Sequence, residues 1–142
     1  MRVRDVMTSE PATIAPEAPL GAALAAMHER QIRHLPVVDE GGRLVGILTD
    51  RDLRQATFAR FRALHEAERD LTVQDAMSWA VVTTRPDSTI AHAAAVMFER
   101  RIGSLPVVED GRLVGILTER DLLRALMKEY PARAWDADAF LW

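Results

Sequence analysis

The chain contains no cysteine, which excludes disulfides, thiolate metal sites and a cysteine nucleophile. Aromatic residues make up only 6% of its 142 positions, and no stretch approaches the ~20 apolar residues needed to span a bilayer. The opening "MRVRDVMTSEPAT" also lacks the continuous apolar run of a secretory signal, so a cytoplasmic location is the expectation. Excess charge of one sign is scarce as well: the net charge is −3, with acids and bases interspersed. The basic group Arg51, Arg54, Arg60 and Arg62 is offset at once by "HEAERD", so no nucleic-acid partner is expected.

Catalytic machinery is equally sparse. His28, His34, His65 and His92 have no metal-ligand spacing, and there is no nucleophile elbow, phosphate-binding loop or dinucleotide fingerprint. The acidic pairs Asp50 with Asp52 and Glu119 with Asp121 stand two residues apart, which turns their side chains to different sides of a helix. The chain is therefore not read as an enzyme, and no obligatory cofactor or metal is expected.

What the chain does have is a duplication. "LPVVDEGGRLVGILTDRDL" returns as "LPVVEDGRLVGILTERDL", and the register extends back to Val3 with Val73. The offset is 70 through Pro36 with Pro106 and 69 afterwards, because Gly41 and Gly42 face the single Gly111. A one-residue change of length at glycines places them in a turn. A repeat of about 55 residues is marginal alone, so the two copies are expected to share an apolar interface.

Each copy opens with apolar residues leading into an extended stretch that stops at Pro16 or Pro86. A helix follows, with Leu20, Ala23, Leu24 and Met27, or Ile90, Ala93, Ala94 and Met97, on one buried face. Asp87 or Ser88 is the expected N-cap in the second copy, and the first has only Glu17 and Pro19 nearby. Next come two short β-rich runs flanking "DEGG" or "EDG", which read as a hairpin. The second run ends at Thr49 or Thr118, and "RDL" opens another helix. The expected fold is therefore α/β of the α+β type: two tandem β-α-β-β-α repeats, with small sheets and helices that pack together. The repeats occupy 1–56 and 73–128, with a helical connector at 57–72 and an aromatic tail at 129–142. Tyr130, Trp135, Phe140, Leu141 and Trp142 in that tail are expected to dock on the chain itself or on a partner. Met7, Met27, Met77 and Met97 read as adaptable core packing.

The ordered motifs in both copies, Leu-Pro-Val-Val, then Gly-Arg-Leu-Val-Gly-Ile-Leu-Thr (Gly42–Thr49, Gly111–Thr118), then Arg-Asp-Leu, resemble a tandem pair of CBS domains, named after cystathionine beta-synthase. The resemblance covers residues 1 to about 128. It implies two repeats about a pseudo-two-fold axis, with two clefts between them. Such clefts commonly hold AMP, ADP, ATP or S-adenosylmethionine, and such modules often form homodimers. It also implies a regulatory role on a separate protein partner.

Carried onto this sequence, the resemblance marks Thr49 and Asp52, and Thr118 and Asp121, for ribose and phosphate. The physical basis is a helix N-terminus facing phosphate and a carboxylate accepting ribose hydroxyls. Arg51 and Arg120 sit in the same turns. Thr13 with Ile14 and Thr83 with Thr84 match positions whose backbone contacts the base. Arg33-His34-Leu35-Pro36 and Gly103-Ser104-Leu105-Pro106 match the other wall. The same Thr-x-x-Asp spacing is also a helix capping box, and one threonine can do both jobs. Where the copies differ, Arg33-His34 against Gly103-Ser104, unequal clefts are expected, with polyphosphate favoured in the first. His34 would make binding pH-sensitive near neutrality. The alternative reading is a ligand-free structural or interaction dimer whose clefts are empty or plugged by the tail.

Overall fold

Both halves of the computed structural model follow the repeat, and it describes residues 1–62 and 70–131. The first half holds α1 (Val3–Val6), β1 (Thr8–Ser9), α2 (Leu20–Arg30), β2 (His34–Val38), β3 (Leu44–Thr49) and α3 (Asp50–Arg62). The second holds α4 (Val73–Ala76), α5 (Ile90–Arg100), β4 (Ser104–Glu109), β5 (Arg112–Thr118) and α6 (Glu119–Glu129). Residues 63–69 of the connector, and the tail side chains Trp135, Phe140, Leu141 and Trp142, lie outside the described residues.

The hairpins form where the glycines placed them. β2 pairs antiparallel with β3, and β4 with β5, each with an irregularity after Val37 or Val107. In the second turn Asp110 and Gly111 have φ of 52° and 79°, the left-handed pair that matches the twist of a two-residue hairpin. α2 and α5 bury Ala23 with Met27 and Ala93 with Met97. Leu24, assigned to the buried face from its spacing, is instead 60% exposed. The N-cap of α5 is Thr89, whose hydroxyl accepts the His92 N–H at 3.1 Å, and not Asp87 or Ser88.

The start of each repeat departs most from expectation. In place of a full first strand there is a single helical turn, α1 or α4, followed by the two-residue β1 or by one bridge at Ser78. These segments leave their own repeat. β1 pairs with β5, Thr8 opposite Ile116, while Ser78 pairs with Ile47 of β3. The exchange is reciprocal: Val3 N–H donates to Ser88 O and Val73 N–H to Ala18 O, both at 2.8 Å. Val3 and Met7 therefore belong to the core around Leu105, Val107 and Leu117, and Val73 and Met77 to the core around Leu35, Val37 and Leu48. The packing units are thus not the sequence repeats.

Two glycines make room for these arms. A Cβ on Gly46 would stand 2.6 Å from Met77 Sδ, and one on Gly115 2.6 Å from Met7 Sδ. Each methionine lies over a bare backbone in the other repeat's sheet, a close approach that only glycine permits. The pseudo-two-fold axis is marked where equivalent residues meet each other. Arg43 bridges to Arg112 at the hairpin tips, and His34 meets Ser104.

Candidate functional site

The strand-to-helix junctions form first, from local chemistry. Thr49 N–H donates to Asp52 Oδ2 at 2.9 Å, and Asp52 N–H donates to Thr49 Oγ1 at 3.2 Å. Thr118 and Asp121 repeat the pair at 2.9 and 3.2 Å. These are capping boxes, each worth about 1 kcal/mol of helix stability. Each threonine hydroxyl accepts here and keeps its own hydrogen to donate elsewhere.

A cleft of about 680 Å³ opens beside the second junction, within the range of small-molecule sites. Its lining is composite: Thr118, Glu119, Arg120, Asp121 and Arg124 come from the second repeat, and Arg30, Gln31, Ile32, Arg33 and His34 from the first. Gly103 and Ile116 complete the second repeat's share, and Thr8, Glu10, Pro11 and Ala12 of the exchanged arm close it. Arg33 and His34 thus share this cleft with Thr118 and Asp121 of the other copy, although His34 also pairs across the strands with Thr49 of its own. Their placement follows from Gln31, a left-handed residue (φ 54°) that ends α2 and turns the chain into β2.

The other sequence-marked residues are placed as follows. Leu35, Pro36, Leu105 and Pro106 are buried within β2 and β4 and do not line this cleft. Ile14 N–H donates to Pro36 O and Thr84 N–H to Pro106 O, so neither amide is open to a base. Thr13 and Thr83 are exposed and, like Thr49, Arg51 and Asp52, stand outside this cleft's lining. Sequence reasoning missed Arg30, Glu10 and Arg124. No sequence signal marked Glu10, which the structure holds at a left-handed φ of 49° just before Pro11.

His34 lies half-buried on the axis. Its Nδ1 is 3.1 Å from Ser104 Oγ, and its ring edge fills the space that a Cβ on Gly103 would need, 3.3 Å from both Cε1 and Nε2. Burial lowers its pKa below the ordinary 6.5, against the opposing pull of Asp50 and Glu119. A neutral ring shares one proton with Ser104 here, the hydroxyl donating to Nδ1 or accepting from it according to the tautomer. Asp121 is buried too, and its second oxygen accepts Arg124 Nη1 at 3.3 Å.

A second, mainly apolar groove of about 610 Å³ runs between α2 and α3, past Leu24, Met27, Leu53 and Phe58. Among the described residues, no group of three His, Asp or Glu is placed to hold a metal ion, and no helix is long and apolar enough to cross a membrane.

Comparison with known proteins gives a consistent result. The family described as CBS domain matches residues 3–58 and again 73–128. A CBS domain-containing protein of Dictyostelium discoideum is 37% identical over 132 residues, covering 89% of this chain and 91% of that protein. Among solved structures, the CBS domain pair of MJ0100 in complex with 5-methylthioadenosine and S-adenosylmethionine superposes with a TM-score of 0.80 at 32% identity. CBSX2 in complex with AMP gives 0.81 at 30%, and both alignments cover 91% of this chain and 98% of the other. Relatives named as enzymes match differently. The chain spans 22% of an L-aspartate semialdehyde sulfurtransferase and 24% of an inosine-5'-monophosphate dehydrogenase, both of Methanocaldococcus jannaschii.

Proposed function

This chain belongs to the CBS domain family, and from that premise we propose that it is a regulatory module that senses an adenosine-containing ligand in the cleft between its repeats. The observation that carries the reading is the composite lining. A ligand that touches Thr118 and Asp121 on one side and Arg33 and His34 on the other binds according to how the two halves are disposed, and it shifts that disposition by its differential affinity. AMP, ADP, ATP and S-adenosylmethionine are the candidate ligands, in keeping with the AMP and S-adenosylmethionine held by the related pairs.

In this reading the output passes to a separate protein partner in the cytoplasm, and the module acts as a homodimer. The exposed apolar side chains Leu24 and Phe58 on α2 and α3, and Phe98, Leu126 and Met127 on α5 and α6, support helix-to-helix pairing of two copies.

The test is a thermal-shift panel on the full chain with the four adenosine ligands, repeated with Asp52→Asn and Asp121→Asn. A ligand at a hundredfold excess over its Kd adds about 2.7 kcal/mol of stability. A shift that one variant abolishes identifies the cleft that reads the ligand. A flat panel at millimolar ligand refutes sensing and favours an interaction dimer.

A further inference from the structure

The two junctions look equivalent in sequence, but their carboxylates are not equivalent in chemistry. At the second, Asp121 Oδ2 is held by Thr118 N–H and Oδ1 by Arg124 Nη1, so both oxygens are engaged. At the first, Asp52 Oδ2 is held by Thr49 N–H, and no bond to Oδ1 is made among the described residues. The difference lies one turn along the helix, where the repeat places Gln55 opposite Arg124.

Arg124 has one end tied and the rest free to move. Its side chain is 56% exposed, against 5% for that of Asp121. It lines the cleft with Arg30, Arg33 and Arg120, none of which makes an ion pair or side-chain hydrogen bond among the described residues. The lining sets four guanidiniums, three of them unpaired among the described residues and the fourth on a single 3.3 Å contact, against Glu10, Glu119 and Asp121, and the unpaired cations are set to receive an anion.

We propose that Arg124 makes this cleft select nucleosides carrying a 5'-polyphosphate over sulfonium nucleosides. The proposal rests on the adenosine-sensing reading above. A polyphosphate competes with Asp121 for Arg124, because its oxygens offer more charge and bidentate geometry than the one carboxylate oxygen. When Arg124 moves to the phosphates, Asp121 Oδ1 is released to accept a ribose hydroxyl. S-adenosylmethionine brings a sulfonium charge toward four arginines and offers Arg124 only the single carboxylate of its methionyl arm, so it draws Arg124 from Asp121 less well than a polyphosphate does.

The experiment is isothermal titration of the full chain with AMP, ADP, ATP and S-adenosylmethionine, on the wild type, Arg124→Gln and Gln55→Arg. In the wild type ATP binds tighter than AMP and tighter than S-adenosylmethionine by about 10-fold or more. Arg124→Gln reduces the ATP-over-S-adenosylmethionine ratio by about 10-fold while both ligands still bind, and Gln55→Arg, outside this cleft, leaves the ratio unchanged. The proposal is overturned if the wild type prefers S-adenosylmethionine, or if Arg124→Gln leaves the ratio where it was. Binding of adenosine ligands without the ratio change overturns this inference alone. No binding of any of the four removes the sensing reading and this inference together.

Discussion

Gly46→Ala tests how the two halves are joined. The added Cβ would lie 2.6 Å from Met77 Sδ and 3.0 Å from the Ser78 carbonyl oxygen. The sulfur is at the end of a flexible side chain and can swing away, but that withdraws a buried methionine from the core around Leu35 and Leu48. The carbonyl cannot swing, because Ile47 N–H holds it at 3.1 Å. Gly46 has no positive φ, so the penalty is steric and not conformational. Overpacking of this kind costs about 2 kcal/mol, which for a chain of this size lowers Tm by about 7 °C. Urea unfolding followed by far-UV circular dichroism measures it, with Gly41→Ala as control, since a Cβ there meets nothing closer than 3.5 Å. Adding Met77→Ala to Gly46→Ala relieves the sulfur contact but not the carbonyl, so the pair is less destabilised than the sum of the singles. If Gly46→Ala is no less stable than Gly41→Ala, the close packing of arm on sheet is wrong.

The remaining predictions concern the axis and the arms. Because burial holds the folded pKa of His34 below 6.5, the unfolded chain protonates first as pH falls. Stability is therefore full at neutral pH and declines as pH drops through 6.5 toward the folded pKa. The groups facing the ring are Asp50 and Asp52 of α3, Glu119 of α6, Arg33 beside it and the Ser104 hydroxyl. His34→Asn flattens that slope in urea midpoints taken between pH 7.5 and 5.5, an order-of-magnitude window around the ordinary histidine value, and an unaltered slope excludes the assignment. Val3→Ala opens a cavity in the second repeat's core, at a cost of about 2 kcal/mol. Hydrogen exchange then rises in β4 and β5 before β2 and β3, and the reverse order refutes the exchange of arms.

Local features were legible in the sequence because their causes are local. The hairpin turns follow from Gly42, Asp110 and Gly111, and the caps at Thr49 and Thr118 from a spacing of three residues. The exchange of α1 and α4 was not legible, since hydrophobic periodicity reports that Val3 and Val73 are buried but not in which core. The only trace was indirect, glycines at 46 and 115 within otherwise bulky, apolar runs, which mark a close approach without naming what approaches. The cleft was legible in part for the same reason. Thr118, Asp121, Arg33 and His34 stood out by motif, whereas Arg30 and Arg124 are helix residues that enter the site only through the packing of one repeat on the other.

The reciprocal arms give this single chain the topology of a swapped dimer, with the connector holding the effective concentration of each arm at its partner's core. An arm recognises the other repeat's sheet and has no means of telling whether that sheet belongs to its own molecule. Refolding at high protein concentration therefore admits interchain exchange, in which Val3 and Met7 of one molecule complete the core of a second. Such oligomers contain the native contacts in full. They differ from the monomer in connectivity alone, and once formed they separate only as slowly as a core opens.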